Sequence, residues 1–530
     1  MGFFLTLNYA VANTDMGTAP AATDPLGGRV LTGHPEEQID YATRSTNLMT
    51  VRSKQIIKAF YGERPNKSYF FGCSTGGGQG IHEALQFPGD YDGIVARAPG
   101  MNGTHNTAAN VWDYQAFNGP ANVTAAQATA ITTAVVKQCV GKDGGLSSDN
   151  FLTDPRDCHW DPAALQCTGA AADAATCLTA PQVAAMRKFY EGPNNPRTGE
   201  RIHAGRTRGS ESYNGYPAAL ASLATTDGNS NYWVFGNDFD WLTFDFDHDM
   251  DTIDDALAAR LNANTADLEE FKSRGGKLLL FHGLADPMVP TLNTIDYYER
   301  LITSQTHDGR HDDGKRKEGL RRTQEFARLF LQPGVAHCNG GAGPDATDFL
   351  SPLVQWVEQG IAPDQILASK IANGVTTFTR PLCSYPALPR YSGVGDPTEA
   401  TSSRVSTTLT VTTTNRRPGS TSMTAIITRL SRSTTAITVT TMTTADTGSD
   451  KSVQQRLSFL QIGRVEALCE PAVYRSEQVA GFGLTTLVAA EPSEAPGCAQ
   501  FPELGLLLPS DAQGFVIQFL RSLGLPLPQQ

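Results

Sequence analysis

The stretch Phe70-Phe71-Gly72-Cys73-Ser74-Thr75-Gly76-Gly77-Gly78 sets the pattern G-x-S-x-G between an apolar run and a helix-forming segment. Small residues on both sides of the serine suit a sharp strand-to-helix turn. Such a turn lifts the serine oxygen clear of the sheet edge and leaves the next N–H, that of Thr75, to donate to a developing oxyanion. The chemistry it supports is nucleophilic acyl transfer. A glycine-rich turn after a strand also suits phosphate, but the lysine of a phosphate-binding loop is missing here. With 50 glycines in the chain the letters alone are weak, and the strand-to-helix context carries the reading.

A serine becomes a competent nucleophile when a histidine takes its proton and a carboxylate orients that histidine. After a serine elbow the partners follow in the order acid, then histidine, each in a loop beyond a core strand. Asp286 stands in such a loop, His282-Gly283-Leu284-Ala285-Asp286-Pro287, after the apolar run 278–281. His337 stands in the next, Pro333-Gly334-Val335-Ala336-His337-Cys338, after the run 328–331. Asp286 is therefore the expected orienting acid and His337 the expected base. His282 precedes the acid and reads as a packing or site-lining residue. His82, on the helix after the serine, reads as structural. Asp240, Asp245, Asp247, Asp249 and Asp251 crowd one stretch without the glycine of an EF-hand loop, and read as solvated or capping residues.

These residues need a sheet to hold them. Residues 41–61 read as a helix, 68–72 as a buried strand, 76–86 as a helix and 93–99 as the next strand, a β-α-β succession that predicts a parallel sheet. The run Phe3 to Ala12 reads as an earlier strand. Residues 106–265 are different, loop-rich, with four cysteines and four of the five tryptophans. Core strands return at 276–283 and 328–331, with helices at 291–304 and 348–360. The chain thus reads as an α/β domain in two parts, 1–105 and 266–398, separated by an insertion at 106–265. Between 401 and 450, 26 of 50 residues are Ser or Thr with no hydrophobic period, so 399–454 is expected to be a disordered or stalk-like linker. Residues 455–530 carry some apolar helical pattern at 515–525 and no assignable function.

The net charge of -12, with 18% charged residues, excludes a nucleic-acid binder, because no basic stripe offsets a phosphate backbone. No run of 18 apolar residues is present to span a membrane. Nine cysteines, several regularly spaced, point to disulfides and an oxidising compartment. The N-terminus lacks the charged start and cleavage site of a signal peptide. Sequons at Asn66, Asn102 and Asn122 would accept glycans on a secretory route.

Cys73 directly before the serine and Cys338 directly after the histidine make the chain resemble the tannase and feruloyl esterase family, through its Cys-Ser, Asp and His-Cys motif. The similarity extends from about Ala10 to Asp396, through Thr14-Asp15-Met16-Gly17, the elbow, the segments 87–99 and 275–290, Phe244-Asp245-Phe246-Asp247, and Arg380-Pro381-Leu382-Cys383. The resemblance implies an α/β-hydrolase fold whose insertion is a lid. It implies a Cys73 to Cys338 disulfide, and lid disulfides joining Cys139 with Cys158 and Cys167 with Cys177. It implies a secreted serine esterase that needs no catalytic cofactor and acts on small phenolic esters attached to plant polysaccharide or tannin. Either feruloyl or galloyl groups fit, with Tyr232, Trp233 and Trp241 as candidates to hold the aromatic ring. It further implies a structural calcium in the lid, held by Asp143 and Asp149 with the main-chain oxygens of Gly145 and Phe151. Val140 departs from that pattern where the first aspartate is expected, and the stretch to Asp154-Pro155 is about two residues too long for it.

Two larger departures concern the ends. The family pattern starts well upstream of Met1, with early strands and the loop that supplies a second oxyanion donor, and it stops soon after Gly395-Asp396-Pro397 with a cysteine partner for Cys383. The expectation is a chain shortened at its N-terminus and joined to foreign sequence near residue 400. Two other readings stay open: an inactive homologue without a complete oxyanion hole, and a secreted wall-associated protein whose Ser/Thr-rich tail is a glycosylated stalk.

Overall fold

The structure, a computed structural model, describes residues 2–18, 27–169, 175–217, 224–225, 229–306 and 313–406, and the backbone of four short strands at 409–410, 425–428, 438–441 and 485–489. Five strands come from the first 340 residues: β1 (Tyr9–Ala12), β2 (Lys67–Cys73), β3 (Gly93–Arg97), β4 (Lys277–Gly283) and β5 (Ala327–Gln332). β2 to β5 lie side by side in parallel, with Phe70 opposite Ile94, Ile94 opposite Leu278 and Leu280 opposite Leu329. Their central residues are apolar, Tyr69 to Phe71, Ile94 to Ala96, Leu278 to Phe281 and Leu329 to Leu331, as a sheet covered on both faces requires. Successive residues fall alternately on the two faces. Phe70, Ile94, Leu278, Leu280 and Leu329 pack with Ile81 and Ala84 of the helix Thr75–Gln86 and with Tyr298 and Leu301 of the helix Thr291–Ser304. Tyr69, Val95, Leu279, Phe281 and Phe330 face Leu353 and Trp356 of the helix Leu350–Gln359. The strands therefore end together, and their C-terminal ends deliver Ser74, Asp286 and the loop bearing His337.

Two readings of the sequence change here. The N-terminal apolar run is a helix, Gly2–Thr6, followed by the short strand β1. Asn8 takes a left-handed conformation (φ 64°) that ends the run, and Phe4 tucks against Phe71 with ring centroids 5.2 Å apart. The far tail also contributes to the sheet. The strand Thr485–Ala489 runs antiparallel between β1 and β2, opposite Leu487 with Tyr69 on one side and Val11 on the other. Within the Ser/Thr-rich segment, Ser403–Ser406 pairs antiparallel with Leu388–Tyr391. Leu409–Thr410, Ala425–Thr428 and Thr438–Thr441 pair as a small antiparallel sheet, and the rest of the segment beyond residue 406 lies outside the described residues. The helical pattern at 515–525 and Cys469 and Cys498 lie outside them too.

The segment between β3 and β4 has two cores of its own. One gathers Ile131, Val135, Trp160, Met186 and Phe189 around the Cys139–Cys158 disulfide. Its helices, Ala125–Cys139 and Ala180–Glu191, each begin with a Thr and Gln capping box, at Thr124 and Thr179. The other is aromatic: Tyr232, Trp241, Phe244 and Phe246 pack on Val111 of the helix Gly103–Ala116. After β5, Ala346–Thr347 (β6), Gln365–Ala372 (β7) and Val375–Cys383 (β8) form a separate antiparallel sheet.

Candidate active site

Ser74 lies between β2 and its helix with φ 63° and ψ -123°, a conformation that costs an L-residue of order 1–3 kcal/mol. The neighbours make it possible. A Cβ at Gly72 would stand 2.2 Å from the Gly76 carbonyl oxygen, and one at Gly77 would stand 2.4 Å from that of Arg97. The backbone then locks the turn: Ser74 N–H donates to Arg97 O at 3.0 Å, and Ser74 O accepts from Gly78 N–H at 3.0 Å and Gly100 N–H at 3.1 Å. Thr75 is the first helical residue, so its N–H belongs to the turn that has no acceptor within the helix.

Asp286 and His337 meet 51 residues apart in sequence, with His337 Nδ1 2.7 Å from Asp286 Oδ2. Both are buried, the aspartate completely. An ionised carboxylate only accepts, so Nδ1 carries the proton and His337 Nε2 is left as the basic nitrogen. The other carboxylate oxygen, Oδ1, accepts from the N–H groups of Met288 (2.8 Å) and Val289 (3.0 Å). Burial favours the neutral acid, but the imidazoles of His337 and His282 outweigh it and hold Asp286 well below the usual carboxylate range. His282, read from sequence as a packing or lining residue, is fully buried and touches the same carboxylate at 3.1 Å. His82 is buried on its helix, where burial lowers it to about 4, and takes no part in this cluster.

A disulfide joins Cys73 to Cys338 with Cα atoms 6.0 Å apart, so the residue before Ser74 is tied to the residue after His337. Cys338 itself has φ 63°, and Ala98, at the end of β3, has φ 38°. Strained residues thus gather around one point, as they do at functional sites. Two side chains steady the histidine loop. Asn214 Oδ1 accepts from the His337 N–H at 3.1 Å, and the buried Arg97 guanidinium donates to Cys338 O while lying 4.1 Å above the Phe349 ring. Burial lowers Arg97 to about 10, and Asp345 pulls the other way. Cys139–Cys158 and Cys167–Cys177 are also bonded. Cys383 is an unbonded, buried thiol among the described residues, pushed up to about 12 by its apolar surroundings.

The inserted segment reaches the acid loop through a buried polar knot. Arg206 donates to Asp113 (3.0 Å), Asn110 (2.8 Å) and Met288 O (3.3 Å), Tyr216 donates to Asp113 (2.7 Å), and Thr207 donates to Leu284 O (2.7 Å). None of these residues stood out in the sequence, since their partners lie far along the chain and share no motif. The aromatic candidates are differently placed from expectation. Trp241 and Tyr232 are fully buried edge to face, 4.9 Å apart, as the core of the insertion, and Trp233 donates its indole N–H to Gly27 O and Gly28 O. The acidic run is likewise spent locally: Asp240 and Asp245 accept from backbone N–H groups two residues on, Asp247 pairs with Arg197 at 2.8 Å, and Asp249 accepts from Asp245 N–H.

The two carboxylates expected to hold calcium already have partners. Asp143 is buried with its oxygens accepting from the N–H groups of Gly145 (3.1 Å), Thr153 (2.5 Å) and Asp154 (3.3 Å). Asp149 pairs with the Arg380 guanidinium at 2.8 Å, so a fixed cation already serves it. Phe151 stacks on Phe378, with centroids 5.9 Å apart, against the loop that carries His337. Val140 contributes no carboxylate, and no group of three or more His, Cys, Asp or Glu side chains is arranged to hold a metal among the described residues.

A glycan at Asn102 is also incompatible with the fold, because that side chain is buried, whereas Asn66 and Asn122 are exposed. No helix of the described residues is long and apolar enough to cross a membrane.

The family model described as "Tannase and feruloyl esterase" matches residues 1–405. An uncharacterized esterase of Xanthomonas campestris is 35% identical over 76% of this chain and 75% of its own. A mono(2-hydroxyethyl) terephthalate hydrolase of Piscinibacter sakaiensis is 33% identical over 74% and 73%. Among solved structures, feruloyl esterase B from Aspergillus oryzae superposes with a TM-score of 0.64 at 27% identity, covering 71% of this chain and 76% of that one.

Proposed function

We propose, from the premise that this chain belongs to the tannase and feruloyl esterase family and is a carboxylic ester hydrolase of α/β-hydrolase fold, that it cleaves phenolic acid esters with Ser74, His337 and Asp286 as its triad. The observation that carries the reading is the His337–Asp286 hydrogen bond in a loop bound by disulfide to the residue beside Ser74. Ser74 Oγ attacks the ester carbonyl while His337 Nε2 takes its proton. Asp286 keeps Nδ1 protonated and offsets the charge of the imidazolium. The tetrahedral oxyanion accepts from the Thr75 N–H, and a preorganised donor of this kind is worth about 10² to 10³ in turnover. Collapse breaks the ester C–O bond, His337 returns the proton to the leaving alcohol, and an acyl-Ser74 intermediate remains. Water, deprotonated by His337, then releases the free acid and regenerates the serine.

Relatives named for feruloyl and terephthalate esters support an aromatic acyl group. In this reading residues 106–265 are a lid between the two hydrolase parts, 1–105 and 266–398, and the substrate is a feruloyl or galloyl ester carried on plant polysaccharide or tannin. Three disulfides and the exposed sequons Asn66 and Asn122 favour a secreted protein. The test is hydrolysis of methyl ferulate and methyl gallate by the full chain and by Ser74→Ala. Turnover of at least one ester, falling by a factor of about 10⁴ or more in the variant, is expected; undiminished turnover in Ser74→Ala would sink the mechanism.

A further inference from the structure

His282 closes β4 with its side chain fully buried, four residues before Asp286. Its Nε2 faces two oxygens, Asp286 Oδ2 at 3.1 Å and the Val289 carbonyl at 3.0 Å. An ionised carboxylate and a carbonyl both only accept, so Nε2 carries a proton and donates it. The Thr294 hydroxyl, 2.8 Å from Nδ1, is the partner of the other nitrogen. One carboxylate oxygen therefore receives two imidazole N–H groups, one from His337 and one from His282.

We infer that His282 is a positioning residue of the proposed triad, holding Asp286 Oδ2 in line with His337 and limiting how strongly the carboxylate attracts the His337 proton. The inference rests on the triad reading of Ser74, His337 and Asp286. Two effects follow from the geometry. By bonding Val289 O and Asp286 together, His282 pins both ends of the acid turn to the end of β4. By drawing on Oδ2, it weakens the pull of Asp286 on a protonated His337, so the imidazolium is less stabilised and the base is more readily free. The groups that face this carboxylate are the two imidazoles and the backbone N–H groups of Met288 and Val289, with Arg206 bound to the Met288 carbonyl of the same turn.

His282→Leu removes the donor and His282→Gln keeps one. With rates scaled to the fraction of enzyme that a fluorophosphonate labels, His282→Leu is expected to lower kcat about 10-fold with KM unchanged. It is also expected to move the acidic limb of the kcat/KM profile upward by about 0.5 pH unit or more, because the unshared carboxylate holds the His337 proton more tightly. His282→Gln should return the limb towards that of the parent. A folded His282→Leu enzyme with an unmoved limb overturns the inference, as does a limb that moves equally in both variants. A second measurement needs no variant: in the full chain labelled with ¹⁵N-histidine, the ring proton of His337 is expected on Nδ1 and that of His282 on Nε2. A His282 proton found on Nδ1 overturns the inference whatever the variants do. Loss of the triad reading itself is distinguished by Ser74→Ala, whose retained turnover would sink that reading and leave the ring-proton result to stand on its own.

Discussion

At Asp286 the protein works against its own burial. The imidazoles of His337 and His282 reverse the preference for the neutral acid, and the carboxylate is held ionised well below its ordinary range. The consequence for stability has a definite sign. A carboxylate whose folded pKa lies below its unfolded value contributes stability that is present above the unfolded carboxylate range and is lost as pH falls towards the depressed value. Asp286→Asn should therefore flatten part of the rise in unfolding free energy below about pH 5, measured by urea titration at each pH. The same variant is expected to lose about 10⁴ in kcat, since the amide offers His337 Nδ1 a donor as readily as an acceptor and no longer fixes the tautomer. A variant that keeps full turnover would remove Asp286 from the mechanism. The proposed triad of Ser74, Asp286 and His337 could be drawn from the sequence because each sits in a short loop after an apolar run, in an order few folds share, with Cys73 and Cys338 marking two of them. Asn214 and Arg206 were not. Their contacts to His337 and Met288 span 123 and 82 residues and leave no local pattern to read.

Among the elements, those with a strong period and clear punctuation appeared where the sequence put them. β2 to β5 and the helices Thr75–Gln86 and Thr291–Ser304 are apolar runs or amphipathic stretches bounded by turns. The N-terminal run was misread because Asn8 splits it, and five residues of helix carry too little pattern to declare themselves. The small Ser/Thr strands were overlooked for a related reason: β-branched threonines suit a strand, but in a polar, repetitive context they also resemble a linker. The aromatic residues of the insertion show how element and site are confused in a sequence. Tyr232 and Trp241 have the chemistry to hold a planar ring, yet they are spent on building the insertion's core. What joins that insertion to the acid loop is the Arg206 knot. Burial pushes the Asp113 carboxyl upward while Arg206 and Tyr216 hold it down, so the pair adds little net stability as it stands. Removing one partner is another matter. Arg206→Met should cost about 3–5 kcal/mol in guanidinium unfolding, because it strands Asp113 without a counter-charge. A loss below about 1 kcal/mol would mean that the insertion does not depend on this knot.

For the molecule as a whole, two apolar layers on a parallel sheet give a rigid base, and one covalent link crosses the region where the chemistry is proposed. The Cys73–Cys338 bond closes a loop of 265 residues. In the chain-entropy account such a loop is worth about 5 kcal/mol, and the bond also fixes the spacing of nucleophile and base. The double variant Cys73→Ser/Cys338→Ser is expected to unfold at markedly lower denaturant and to lose most of its turnover even where it remains folded. Equal activity and equal midpoint in that variant would show that the sheet alone sets the site. The fold class was legible from the β-α-β succession, while the pairing of Asp149 with Arg380 was not, because the two residues lie 231 positions apart. The claim on which everything else depends is that Ser74 is activated by His337. Fluorophosphonate labelling of the full chain, with the modified residue located by peptide mass spectrometry, tests it most directly. The account predicts stoichiometric modification at Ser74 in the parent and a loss of at least about 10³ in labelling rate in His337→Ala. Labelling elsewhere, or at Ser74 with equal speed in both proteins, would contradict it.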